Sequence, residues 1–76
     1  MNVEFIGKII RFHRKAAGLS RERCGQLAGV GKTIIYDIEH GKETVQLKSL
    51  LKILQVLNIS IELHSPIMKN FTHADS

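Results

Sequence analysis

Apolar residues recur at helical spacing along most of the chain and at every second position near its end. The two patterns predict different structures. From Phe5 to Ala17, Ile6, Ile9, Ile10 and either Phe12 or His13 share one side, with Lys8, Arg11, Arg14 and Lys15 around the other. This segment reads as an amphipathic helix stopped by Gly18. Ser20 is placed as the N-cap of a short second helix over residues 21–28, ended by Gly29. A third helix is predicted for residues 32–39, opened by Gly31 and ended by Gly41. After a loop at 40–45, residues 46–57 form the most regular helix. Leu47, Leu50, Leu51 and Leu54 make its stripe at i, i+3, i+4 and i+7. Ile53, Val56 and Leu57 extend the apolar surface to a second side, which the earlier helices leave uncovered.

Beyond this helix, Ile59, Ile61 and Leu63 alternate with Ser60, Glu62 and His64 until Pro66. Period two predicts a half-buried strand. A strand cannot satisfy its own backbone donors and acceptors, and the sequence offers no second strand. The simplest solution is a symmetric dimer in which residues 59–63 pair antiparallel with the same segment of another copy. Ile53, Val56, Leu57, Ile59, Ile61 and Leu63 are the residues expected at that interface. The predicted fold class is therefore mainly α, with four helices and a C-terminal strand that joins a two-stranded intermolecular sheet. Residues 1–65 make the domain. Residues 66–76 make a mobile polar tail with Ile67, Met68 and Phe71 as its apolar anchors.

Composition narrows the class. Seventy-six residues allow one domain, and a domain this small buries only about 60% of its unfolded surface, so association helps it. The chain carries 11 Lys+Arg against 7 Asp+Glu, a net charge of +4, which points mildly to nucleic acid. Cys24 is the sole cysteine, which precludes an internal disulfide and fits a reducing compartment. No apolar run approaches the ~18 residues of a membrane span, and residues 1–4 lack the features of a signal peptide. A cytoplasmic protein with no membrane association is expected. His13, His40, His64 and His73 show no metal-ligand spacing. Glu22, Asp37, Glu39 and Glu43 form no plausible acid/base pair. The reading is a protein with no metal, no cofactor and no enzymatic activity.

Two short helices joined by a glycine-led turn make a helix-turn-helix. The run Leu19 to Gly41, LSRERCGQLAGVGKTIIYDIEHG, resembles the phage-repressor, or Xre-type, helix-turn-helix family. The family pattern is roughly L-[ST]-Q-x-x-L-A-x-x-x-G-[VI]-S-x-x-x-[IV]-x-x-[IL]-E-x-G. Leu19, Ser20, Gly29, Val30, Ile35, Ile38, Glu39 and Gly41 match it, and the likeness extends over about residues 5–63. Cys24 stands where Leu is usual and can fill that core site. Gly25 stands where Ala is usual, where the two helices approach, and should cost about 1 kcal/mol of helix propensity.

The resemblance implies that the third helix enters the DNA major groove, with Lys32, Thr33, Tyr36 and Asp37 facing the bases. Lys32 suits guanine O6 or N7, Thr33 suits a hydrogen bond or a thymine methyl, and Asp37 suits a cytosine amino group. Asp37 departs from the amide or basic residues common at its position. Arg21, where the family has Gln, is carried over as a phosphate contact, with Ser20, His40 and Lys42 as further ones. Arg14 and Glu39 are carried over as a buried ion pair. Lys8, Arg11 and Lys15 are read as a solvated face, with Arg11 as an alternative phosphate contact.

The segment from Glu43 to Leu63, ETVQLKSLLKILQVLNISIEL, narrows the resemblance to antitoxins of the HipB type, which end in a strand that forms a lid across the dimer. This likeness implies a palindromic double-stranded DNA operator, autorepression, and a HipA-type kinase toxin as partner. The competing reading is a stand-alone repressor, such as a phage or restriction-modification regulator. A third is a protein-interaction module that no longer binds DNA.

Overall fold

The computed structural model describes residues 2–72 and 74; His73 and the other ends of the expected tail, Asp75 and Ser76, lie outside them. Four helices carry the fold. They are α1 (Val3–Ala16), α2 (Arg21–Ala28), α3 (Lys32–Glu39) and α4 (Leu47–Val56), followed by a 3₁₀ turn at Met68–Asn70. α1 starts earlier than its apolar pattern suggests because the Asn2 side chain accepts from the Phe5 N–H at 2.8 Å, a capping signal that lies outside the periodic residues. Ser20 caps α2 in the same way, accepting from the Arg23 N–H at 3.0 Å.

All four helices end alike. A residue in the left-handed region follows each one: Gly18, Gly29, Gly41 and Asn58. The next N–H then returns to a carbonyl five residues back, as in Val30 to Gly25 at 2.9 Å and Ile59 to Leu54 at 2.9 Å. This closure satisfies carbonyls that a helix end would otherwise leave open. Asn58 therefore closes α4 rather than opening a strand.

α2 packs on α3 and α4, and α1 packs on α3. The core between them consists of Ile10, Cys24, Ala28, Ile35, Ile38, Ile53, Leu54 and Leu57. Two glycines set the helix spacing. A Cβ on Gly7 would overlap the Ile38 carbonyl oxygen and come within 3.0 Å of the Glu39 oxygen, so α1 meets the end of α3 backbone against backbone. A Cβ on Gly25 would lie 2.6 Å from the Val30 carbonyl oxygen. Gly25 is thus a steric requirement of this turn, and its propensity cost accompanies a contact that alanine cannot make.

Two expectations are corrected. His13, not Phe12, turns inward on α1, and Arg14 joins the buried side while Phe12 is exposed. On α4 the buried stripe is Leu50, Ile53, Leu54 and Leu57, whereas Leu47 is 66% exposed and Leu51 46%. Both leucine-rich stripes have the same spacing, offset by three residues, so periodicity alone cannot choose between them; contact with α2 does. In consequence Ile53 and Leu57 are sealed in the chain's own core and are removed from the expected interface with a second copy. The expected C-terminal strand is not shown: no strand is present among the described residues, residues 60–72 are exposed throughout, and a single chain offers residues 59–63 no strand to pair with.

Gly25→Ala is expected to lower stability by about 1–3 kcal/mol, because overpacking against the Val30 carbonyl outweighs the gain in helix propensity of about 1 kcal/mol. Urea unfolding of the two proteins measures this. A more stable alanine variant would contradict the close approach.

Candidate nucleic-acid interface

One buried ion pair fixes how α1, α2 and α3 meet. Arg14 Nε donates to Glu39 Oε2 at 2.5 Å, and its Nη2 donates to Oε1 at 3.0 Å. Its Nη1 donates to the Leu19 carbonyl at 2.8 Å, across the α1–α2 connection. Both residues are buried. Burial alone would raise the Glu39 pKa, but the hydrogen bond and charge of Arg14, joined by those of Arg21, hold it below the usual carboxylate range. The bond to Glu39 in turn raises Arg14 above its ordinary value. Among the described residues no buried side-chain nitrogen or oxygen lacks a partner. Burial pushes the Cys24 thiol up, which suits a core-filling thiol and not a nucleophile.

Arg21 forms the outer layer of this network. Its Nε donates to Glu39 Oε1 at 3.1 Å, and its guanidinium lies 5.3 Å from the centroid of the Tyr36 ring. The His40 ring stacks on Tyr36 at 3.9 Å, and His40 Nδ1 donates to the Tyr36 carbonyl at 2.7 Å. Tyr36 is thereby braced by two neighbours, a cation–π contact from α2 and a stacked ring at the end of its own helix.

Above the network lies an open cleft of about 740 Å³, lined by Arg11, Arg14, Lys15, Ser20, Arg21, Lys32, Thr33 and Tyr36. Five of these residues are cationic and none is acidic. The cleft gathers Ser20 and Arg21 from the start of α2 with Lys32, Thr33 and Tyr36 from α3. Arg11 and Lys15 complete it from α1. The reading of Lys15 as merely solvated missed this; its place four residues after Arg11, on the same face of α1, was the available signal. Asp37 lies elsewhere. It is half-buried and accepts from Lys42 Nζ at 3.4 Å, and both residues line a shallow groove with Thr44, Gln46 and Ser49 at the start of α4. The predicted base-facing set thus divides into three residues beside the cleft and one turned toward the 42–46 loop.

Residues 10–64 match the family model described as Helix-turn-helix, HTH_3. The chain is 39% identical over 61 residues, 80% of each chain, to an uncharacterized HTH-type transcriptional regulator, y4mF, of Sinorhizobium fredii. It is similar in structure to the restriction-modification controller protein C.AhdI of Aeromonas hydrophila, with a TM-score of 0.68 and 31% identity over 76% of this chain and 84% of that one. It also shares its fold with a chain of the HipA-HipB-O2-O3 complex, with a TM-score of 0.78 and 20% identity over 87% and 93% of the two chains.

The Arg14–Glu39 pair makes stability pH-dependent. The unfolded chain binds a proton on Glu39 at a higher pH than the folded one, so the pair's contribution is full above the ordinary carboxylate range and is lost as pH falls below it. Glu39→Gln should strand Arg14, cost about 3–5 kcal/mol at neutral pH, and flatten the acid limb of a thermal-stability profile. An unchanged profile would contradict the geometry.

Proposed function

The chain belongs to the Helix-turn-helix family, HTH_3, and from that premise we propose that it is a transcriptional regulator that reads a palindromic DNA operator as a homodimer. The observation that carries this reading is the exposed edge of α3 beside a cleft lined by five cationic residues and no acidic one. An α-helix with its side chains is about 10–12 Å across, a fit for a major groove about 12 Å wide, and the eight residues of α3 present Lys32, Thr33 and Tyr36 along it. Lys32, Thr33 and Tyr36 read base edges, with Lys32 donating to guanine. Asp37 reaches a base only at the price of its contact with Lys42. Ser20, Arg11, Lys15, His40 and Lys42 hold phosphates, and Arg21 divides its charge between a phosphate and the bracing of Tyr36 and Glu39.

The second copy supplies what the 59–63 segment lacks. Ile61 and Leu63 are 52% and 75% exposed, and pairing with the same segment of a partner gives these side chains and their backbone a place. Val56 and Ile59 pack partly against the chain's own core and give their remaining apolar surface to this pairing, and the exposed Leu47 and Leu51 add apolar area on α4. The working unit is residues 1–65, with residues 66–76 as a tail outside it.

Within this function we read the chain as the antitoxin of a HipA-type kinase toxin, repressing its own operon. The apolar terminal segment outside the core supports this choice. The stand-alone regulator is the second reading, and the 31% identity to a restriction-modification controller protein favours it.

Lys32→Ala and Thr33→Ala are each expected to reduce the preference for operator over random DNA about tenfold. Lys15→Ala should weaken both DNAs alike and reduce the salt slope by about one. Equal losses on both DNAs for all three variants would refute the division into readers and holders. Co-expression with the neighbouring open reading frame, with a tag on this chain alone, separates the two readings. An antitoxin brings down its neighbour in fixed ratio, and the neighbour alone arrests growth. A stand-alone regulator brings down nothing, and the neighbour is harmless.

A further inference from the structure

The aromatic residues of this protein are all on its surface. Phe5, Phe12, Tyr36 and Phe71 are between 49% and 68% exposed, while the core is built from isoleucine, leucine, alanine and cysteine. Tyr36 belongs to the interface described above and Phe71 to the C-terminal segment. Phe5 and Phe12 have neither explanation. They lie on α1 with Ile9 and Ala16 at i, i+4, i+7 and i+11, which is one straight stripe along a helix. The stripe points away from the side that α1 buries against α3 through Gly7, Ile10 and Arg14. Phe12 is 68% exposed and Phe5 51%, and Ile9 is only half-buried. A small domain keeping two phenylalanines in water on one line exposes area that its core could have used.

Charge identifies the occupant. Lys8 and Lys15 run along one flank of the stripe and line a shallow depression with Phe12. A second copy docked antiparallel about a twofold axis would set this flank against itself, bringing like charges together in a chain already at +4. We propose that the Phe5–Ile9–Phe12–Ala16 face of α1 docks an acidic amphipathic helix of a different protein. Its apolar stripe covers the phenylalanines, and its carboxylates pair with Lys8 and Lys15. The rise from Phe5 to Ala16, at about 1.5 Å per residue, makes a seat about 16 Å long, so about three turns of the partner are engaged. This surface adjoins the cationic cleft, with which it shares Lys15, but its apolar stripe lies outside that cleft, and the inference does not rest on the operator reading.

The test uses the full chain and two designed helical peptides with identical leucine stripes, one flanked by glutamate and one by lysine. Binding is followed by amide chemical shifts. The acidic peptide should bind with shifts centred on residues 5–16 and the basic one should not. Phe12→Ser and Lys8→Glu, both on the solvent side and expected to fold, should each weaken binding about tenfold without altering operator affinity. Equal binding of both peptides, shifts elsewhere, or full binding by Phe12→Ser would overturn the proposal. So would a Phe12-dependent change in oligomeric state, which would assign the face to a second copy. Phe12-dependent retention on anionic vesicles with no peptide binding would overturn it in favour of a lipid surface.

Discussion

A carboxylate buried beneath two guanidinium groups decides the shape of this molecule. Glu39 sits at the end of α3, Arg14 near the end of α1 and Arg21 at the start of α2, so one carboxyl group ties together the ends of three helices. The pair has a cost as well as a gain, because both charges leave water and are compensated only by each other, by Arg21 and by the Leu19 carbonyl. Its value lies in placement. The same network that anchors the helices also sets Arg21 over Tyr36 and orients the walls of the cationic cleft. The interior is therefore continuous with the surface proposed to meet DNA.

Backbone contacts make that arrangement possible. The ends of α1 and α3 cannot share a carboxylate unless α1 lies close to α3, and Gly7 permits this by leaving the Ile38 and Glu39 carbonyls uncovered. Gly25 does the same where α2 turns into α3. The left-handed cap then repeats at each helix end, so short helices of 8 to 14 residues are closed by hydrogen bonds and not by length. Helices this short are marginal alone; packing and closure hold them.

Much of this was legible in the residues. The helix stops Gly18, Gly29 and Gly41 are written in the chain, and the bounds of α2 and α3 follow from Ser20 and the glycines. The rest was hidden for physical reasons. Two leucine stripes on α4 obey the same spacing, and the choice between them is made by contact with α2. The family resemblance that put Asp37 with Lys32 and Thr33 is insensitive to Lys42, which draws it toward the loop. Gly7 carries no pattern of its own; its role exists only because another helix's carbonyls lie against it. The Phe5–Phe12 stripe was present in the sequence, but Ile9 was read on the buried side with Phe12 as an alternative to His13, because a helix with two apolar faces does not announce which one the core takes.

The most direct measurement is an NMR titration of the intact protein with a duplex from its own upstream promoter at moderate salt. The account predicts large shifts at Ser20, Arg21, Lys32, Thr33 and Tyr36, extending to Arg11 and Lys15, with the outer stripe of α1 unmoved. Shifts confined to residues 60–72, or no shifts for promoter and random duplex alike, would contradict it and leave a protein-interaction module in its place.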